Sequence, residues 1–166
     1  MLESHSGRLH PPCLPNRCIK KMLNSKQKGN LTELQCITAF YELGYPVSIP
    51  YGENSRYDII ADINGRLLRI QIKTSSPLKG AENDAFVFSC RSTRVNTQGN
   101  ISRKYTADEI DFFATFYQGK CYLVPVSECS TEKTLRFVAP KGKPNVNLAT
   151  NYELQKQLDT IFNKEN

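Results

Sequence analysis

The stretch RYDIIADINGRLLRIQIKTS, residues 56–75, constrains this chain more than any other. Asn64-Gly65 lies between two runs rich in branched apolar residues, the strongest short-range signal for a two-residue hairpin turn. The pattern predicts strands over 56–63 and 66–74. A two-residue turn also fixes the register. Ile63 faces Arg66, so Asp58 falls opposite Gln71 and Arg56 opposite Lys73. Side chains alternate along a strand, so one face of the hairpin carries Asp58, Ile60, Asp62, Leu67, Arg69, Gln71 and Lys73. The other carries Tyr57, Ile59, Ala61, Ile63, Leu68, Ile70, Ile72 and Thr74, and is packing surface.

Asp58, Gln71 and Lys73 therefore meet at one end of the polar face, with opposed Cβ atoms about 4.5–5.5 Å apart. A carboxylate beside an amide oxygen is a pair of hard oxygen ligands of the kind Mg²⁺ takes together with water and substrate phosphate. A lysine one pair along can orient an attacking water or stabilise charge developing on a phosphate. The plain alternative is a solvated ribbon face held by an Asp–Lys ion pair.

Glu33 bears on that choice. Residues 25–44, SKQKGNLTELQCITAFYELG, read as a helix that stops at Gly44. Glu33 lies in line with Ile37, Phe40 and Gly44, on or beside the stripe that should face a sheet. A carboxylate there calls for a metal or hydrogen-bonding partners. A competing role is local: Asn30-Leu31-Thr32-Glu33 fits a capping box. Beside the hairpin site, the ligand role is the one adopted.

The chain has room for one domain with a real core. With 39% hydrophobic and 23% charged residues it has a globular composition, which excludes wholesale disorder. No apolar run approaches the roughly 20 residues of a membrane span. The first residues lack a secretory signal, and six irregularly spaced cysteines read as intracellular thiols. The expectation is an intracellular protein, compartment unspecified, with neither a membrane partner nor a small-molecule substrate. The net charge of +6 favours a polyanionic partner.

Three regions are expected: an irregular arm over 1–24, a core over 25–138, and a basic segment with a final helix over 139–166. The arm contains His5, His10, Cys13 and Cys18, whose spacings match no zinc finger or ribbon. After the helix, YPVSIP, the hairpin and DAFVFSC (84–90) read as strands. RSTRVNTQGNISRKY (91–105) reads as a loop and TADEI as a short helical turn. IDFFATFY turns at Gln118-Gly119 into KCYLVPV. TLRFVA is a further strand and NYELQKQLDTIF a final helix. Helix, strand meander and helix make an α/β or α+β layer fold.

A helical glutamate, then an aspartate on a strand, then a (D/E)-x-K on the adjoining hairpin strand resembles the PD-(D/E)XK nuclease superfamily. Here the motif reads Asp58…Gln71-Ile72-Lys73. The likeness is nearest to the group I intron-encoded homing endonucleases of that superfamily, where glutamine replaces the second acid. KGNLTEL (28–34), LGYPVSIPYGENSRYDIIAD (43–62), RIQIKTS (69–75), EIDFFATFY (109–117) and YLVPV (122–126) carry it in order. The resemblance implies a restriction-endonuclease-like core, with a central mixed sheet flanked by helices. It implies Asp58 and Gln71 as metal ligands, Glu33 as the helical carboxylate completing the site, and Lys73 as the residue that positions or activates water. It further implies Mg²⁺-dependent hydrolysis of double-stranded DNA by a homo-oligomer, a dimer or tetramer. The arm has no counterpart in that pattern.

For DNA contacts, Arg91, Arg94, Arg103 and Lys104 suit phosphates, and Asn96, Gln98 and Asn100 suit adenine edges. A solvated loop is the alternative. Lys141 and Lys143 form a second basic candidate, and Arg56 either contacts the scissile phosphate or balances Asp58. Other readings are a Holliday-junction resolvase or restriction-type nuclease on the same fold, a non-catalytic DNA-binding module, and an interaction domain with a basic patch. Nucleophilic or zinc chemistry has little support, because both histidines lie in the arm.

Overall fold

The computed structural model describes residues 23–52, 54–97, 99–139, 142 and 147–163. Helix α1 (Ser25–Glu42) begins at Asn24, whose side chain accepts from the Gln27 N–H while Gln27 accepts in turn from the Asn24 N–H. That reciprocal capping box sits at Asn24 and Gln27, not at Asn30 and Glu33. The helix stops as expected at Gly44. With φ +83° this residue lets its own N–H reach the Tyr41 carbonyl and the Tyr45 N–H reach Phe40, a Schellman motif.

Strands β1 (Val47–Ser48), β2 (Ile59–Ile63) and β3 (Arg66–Ile72) follow. The hairpin has the expected register, Ile63 against Arg66 through Ile59 against Ile70. Asn64 (φ +54°) and Gly65 (φ +89°) make the turn, whose hand matches the strand twist. The chain then runs through β4 (Ser75–Pro77), β5 (Ala85–Ser89), β6 (Arg91–Asn96), β7 (Gly99–Lys104), β8 (Phe112–Tyr117), β9 (Lys120–Pro125) and β10 (Glu132–Arg136) to helix α2 (Leu154–Asn163). The β8–β9 turn falls on Gln118-Gly119, as expected.

The strands form a five-stranded mixed sheet in the order β1-β2-β3-β8-β9, in which β3 and β8 are parallel and the other pairs antiparallel. A second, antiparallel sheet runs β10-β5-β4, and β6 and β7 form a separate ribbon. Both helices cover one face of the main sheet. Cys36 and Phe40 of α1 and Leu154 and Leu158 of α2 pack there with Ile59, Ala61, Ile63, Leu68, Ile70 and Ile72. On the opposite face Phe113, Tyr122 and Val124 meet Phe86, Phe88 and Leu135 of the smaller sheet. Fully burying one side chain of this size contributes about 1.5–3 kcal/mol, so the two clusters hold the layers together. This is an α+β fold with a central mixed sheet, in which helices flank one face and strands cover the other.

Three local expectations are corrected. Residues 91–105 are a paired ribbon with register Arg91–Lys104 to Asn96–Gly99, not a loop. Ile101, the large apolar residue among its described side chains, is exposed, so no buried alternation marks the pair in the sequence. Pairing in β2 starts at Ile59 instead of residue 56, because the Asp58 side chain occupies the next position of the ladder. The 106–110 segment is a short turn, as expected, closed by Glu109 and Ile110 N–H bonds to the Thr106 carbonyl. The last strand is 132–136, two residues earlier than expected. No helix among the described residues is long and apolar enough to cross a membrane.

Candidate active site

The hairpin delivers Asp58, Gln71 and Lys73 to one place at the edge of the β3–β8 junction. The Asp58 N–H still bonds the Ile70 carbonyl at 2.9 Å, but its side chain replaces the backbone one step further along. Asp58 Oδ2 accepts from the Ile72 N–H at 2.6 Å and from Gln71 Nε2 at 2.5 Å. A carboxylate that satisfies a strand N–H ends backbone pairing, which is why β2 begins one residue later. Burial pushes the Asp58 carboxyl above its usual range. The Ile72 N–H, the Lys73 charge and the Gln71 amide each pull it back.

Gln71 is 8% exposed and stands beside Phe113 of β8. Its amide presents nitrogen to Asp58, and a half-turn of the terminal torsion exchanges that nitrogen for the oxygen. Lys73 follows the last residue of β3, and its N–H continues the parallel pairing by bonding the Ala114 carbonyl. Its half-buried ammonium is held below the usual lysine range, first by burial and then by Arg56, against the opposing pull of Asp58.

Glu33 lies beside the buried stripe of α1 (Thr32, Cys36, Phe40), not on it, and is solvent-exposed. Partial desolvation, and then the charge of Asp58, raise its carboxyl above the usual value. Asp58 and Glu33 therefore feel one another, with Glu33 at the wet rim of the site.

Arg56 is drawn away from Asp58 by a partner no pairing rule could supply. Its guanidinium binds Glu109 through Nε at 3.0 Å and Nη2 at 3.3 Å, and reaches Ser92 Oγ at 3.0 Å and the Lys104 carbonyl at 3.4 Å. Glu109 also pairs with Arg103 at 2.6 Å and accepts from the Thr106 N–H. This cluster fastens the root of the β6–β7 ribbon to the core. Arg91, Arg94, Arg103 and Lys104 all sit on the ribbon strands, as do Asn96 and Asn100. Arg91 Nε is buried without a hydrogen-bond partner among the described residues. Gln98, Lys141, Lys143 and the arm residues His5, His10, Cys13 and Cys18 lie outside the described residues.

Two residues in this region escaped the sequence reading, Tyr105 and Glu109. A Thr106-to-Glu109 capping-type spacing was the available signal for Glu109. Nothing in the sequence ties Tyr105 to Lys73, 32 residues away.

Among the described residues, no group of three or more His, Cys, Asp or Glu side chains could hold a metal. The donors present are one recessed carboxylate, one amide oxygen and a rim carboxylate. Such a sparse, all-oxygen set fits a hard cation that keeps several waters, and does not fit zinc.

The fold is similar to that of a bacterial homing endonuclease, I-Ssp6803I, with a TM-score of 0.68 at 22% identity, covering 86% of this chain and 97% of that one. Comparison with curated proteins finds no match. Residues 23–155 match the PD-(D/E)XK endonuclease family, a span that holds α1, the ten described strands and the candidate residues Glu33, Asp58, Gln71 and Lys73. The chain belongs to the PD-(D/E)XK endonuclease family, and it is a nuclease.

Proposed function

We propose that this nuclease is a site-specific, Mg²⁺-dependent endonuclease of the homing type, encoded in a group I intron. In this reading it hydrolyses phosphodiester bonds in double-stranded DNA, inside the cell, as a homo-oligomer that brings two sites to the two strands. The observation that carries the proposal is the junction of Asp58, Gln71 and Lys73, where a recessed carboxylate and amide lie beside a half-buried lysine.

Asp58 and Gln71 would hold the cation, with Glu33 contributing from the rim. The cation, when bound, neutralises charge on the phosphate and lowers the pKa of water. Lys73 orients the attacking water and offsets negative charge as the phosphorus–oxygen bond to the leaving group breaks. The amide of Gln71 keeps an oxygen donor but removes one negative charge relative to an acid, so the site holds its cation more weakly or holds fewer.

The ribbon is the element that reads DNA. A two-stranded ribbon fits the major groove, and its arginines and Lys104 suit the flanking phosphates. Arg56, with its charge shared by Glu109, belongs to the ribbon's anchorage and lies next to Lys73, where a phosphate would be held.

The test is cleavage of a duplex that joins the sequences flanking this reading frame. Wild type and Asp58→Asn are each assayed with Mg²⁺ and with EDTA. A single cut made only by wild type with Mg²⁺ supports the proposal. Cutting of branched junctions in preference to this duplex would move the protein to the resolvases. Binding by both proteins without cutting would make it a DNA-binding module.

A further inference from the structure

Tyr105 is the first residue after β7, at the root of the ribbon. Its ring stands edge-on to Phe113 of the central sheet, with centroids 5.3 Å apart and planes at 89°. Phe113 is fully buried and neighbours Gln71 across the β3–β8 pairing, so the ring rests on the rigid floor of the site. The Arg56 guanidinium lies 4.2 Å from the ring centroid. Lys73 Nζ lies 5.0 Å from the centroid and donates a hydrogen bond to the Tyr105 hydroxyl at 3.3 Å.

A lysine side chain has four rotatable bonds, and a catalytic role requires it to surrender most of that freedom. Among the described residues, its bond to Tyr105 is the side-chain hydrogen bond that fixes the Lys73 ammonium. The phenol suits this task because it is protonated at neutral pH, burial raising it further above its ordinary value, so it accepts from the ammonium without neutralising it. A carboxylate in the same place would hold the lysine more tightly and blunt its charge.

We propose that Tyr105 is a positioning residue for Lys73. Its hydroxyl sets the lysine, and its ring, clamped between Phe113 and Arg56, transmits the ribbon's seating on DNA to the reaction centre. The inference rests on the nuclease reading of the site. Arg56 supplies the mechanical link, since the guanidinium that flanks the ring also holds Ser92 Oγ and the Lys104 carbonyl, one group on each ribbon strand. A ribbon displaced from its anchorage moves Arg56, and with it the ring to which Lys73 is bonded.

The experiment compares wild type, Tyr105→Phe, Tyr105→Leu, Lys73→Met and Asp58→Asn on the joined-flank duplex. Single-turnover cleavage with Mg²⁺ is measured beside duplex Kd in Ca²⁺ and thermal stability. Tyr105→Phe keeps the ring and its packing. It is expected to cut about ten- to hundredfold more slowly, the loss of one hydrogen bond to a charged group, with Kd and Tm unchanged. Tyr105→Leu is expected to be slower still, and its Kd is expected to weaken as the ribbon loosens. A purely structural residue would move Tm and leave the single-turnover rate of the Phe variant alone. A Tyr105→Phe rate within twofold of wild type, while Lys73→Met and Asp58→Asn are both dead, overturns the positioning role and leaves the nuclease site standing. A wild type that cuts no better than Asp58→Asn overturns both.

Discussion

The Gln71 amide nitrogen donates a 2.5 Å hydrogen bond to the Asp58 carboxylate, across a register that a two-residue turn sets. The same carboxylate oxygen accepts from the Ile72 backbone, so one side chain ends a strand and organises a site. Gln71 is almost fully buried, and a second negative charge there would face Asp58 directly.

Gln71→Glu is therefore expected to lower stability in EDTA and to recover most of it in Mg²⁺. Two carboxylates this close repel until a cation lies between them. Metal titrations of cleavage should shift to lower Mg²⁺ concentrations and a different metal preference. Thermal unfolding with and without Mg²⁺ checks the first part. Identical curves for variant and wild type would argue against Gln71 as a ligand.

Lys73→Met keeps the length and apolar stem of the lysine but removes its charge. Cleavage should fall by about a hundredfold or more, the range for a positioned acid–base or charge-stabilising group, while duplex affinity changes little. Glu33→Gln, at the solvent-exposed rim, should cost less than Asp58→Asn in the same assay. Equal losses would place Glu33 on the same footing as Asp58.

The ribbon anchorage carries a pH signature. Burial pushes the Glu109 carboxyl up, but hydrogen bonds from Arg56 and the Thr106 N–H, with the charges of Arg56 and Arg103, hold it below its ordinary 4.5. Its stabilising effect is complete above that value and is lost as pH falls through the lower, folded-state value. Glu109→Gln should thus melt earlier than wild type at neutral pH, and the gap should narrow steadily below pH 4.5. Calorimetric melting of both proteins across that window is the check. A gap that widened in acid would reverse the sign and refute the account.

Replacing Arg91, Arg94 and Lys104 together by glutamine should reduce the slope of log affinity against log salt. The expected change is about 0.9 for each phosphate that is no longer neutralised. Adding Arg103→Gln should change the slope by less than that amount, because Arg103 already shares its charge with Glu109 at 2.6 Å. Filter binding or fluorescence anisotropy across a salt series measures both. An unchanged slope would move the DNA surface off the ribbon.

Features under purely local control were legible along the chain. Asn64-Gly65 set the hairpin register and hence the meeting of Asp58, Gln71 and Lys73, because turn geometry leaves a strand pair no other alignment. Gly44 ended α1 because its N–H must reach a carbonyl in a left-handed conformation. Meetings between distant segments were not legible. Arg56 and Glu109, 53 residues apart, and Lys73 and Tyr105, 32 apart, come together only because β3 and β8 lie side by side while the ribbon folds back over them. The exposure of Glu33 was settled the same way. The seating of α1 on the sheet chose Thr32, Cys36 and Phe40 as its buried stripe, and helical periodicity alone does not fix that rotation. The ribbon itself stayed hidden in the sequence because its residues are mostly polar and Ile101 is exposed, which leaves no apolar alternation to read. Its anchorage through Arg56 and Glu109, which no local pattern predicts, fastens it to the core.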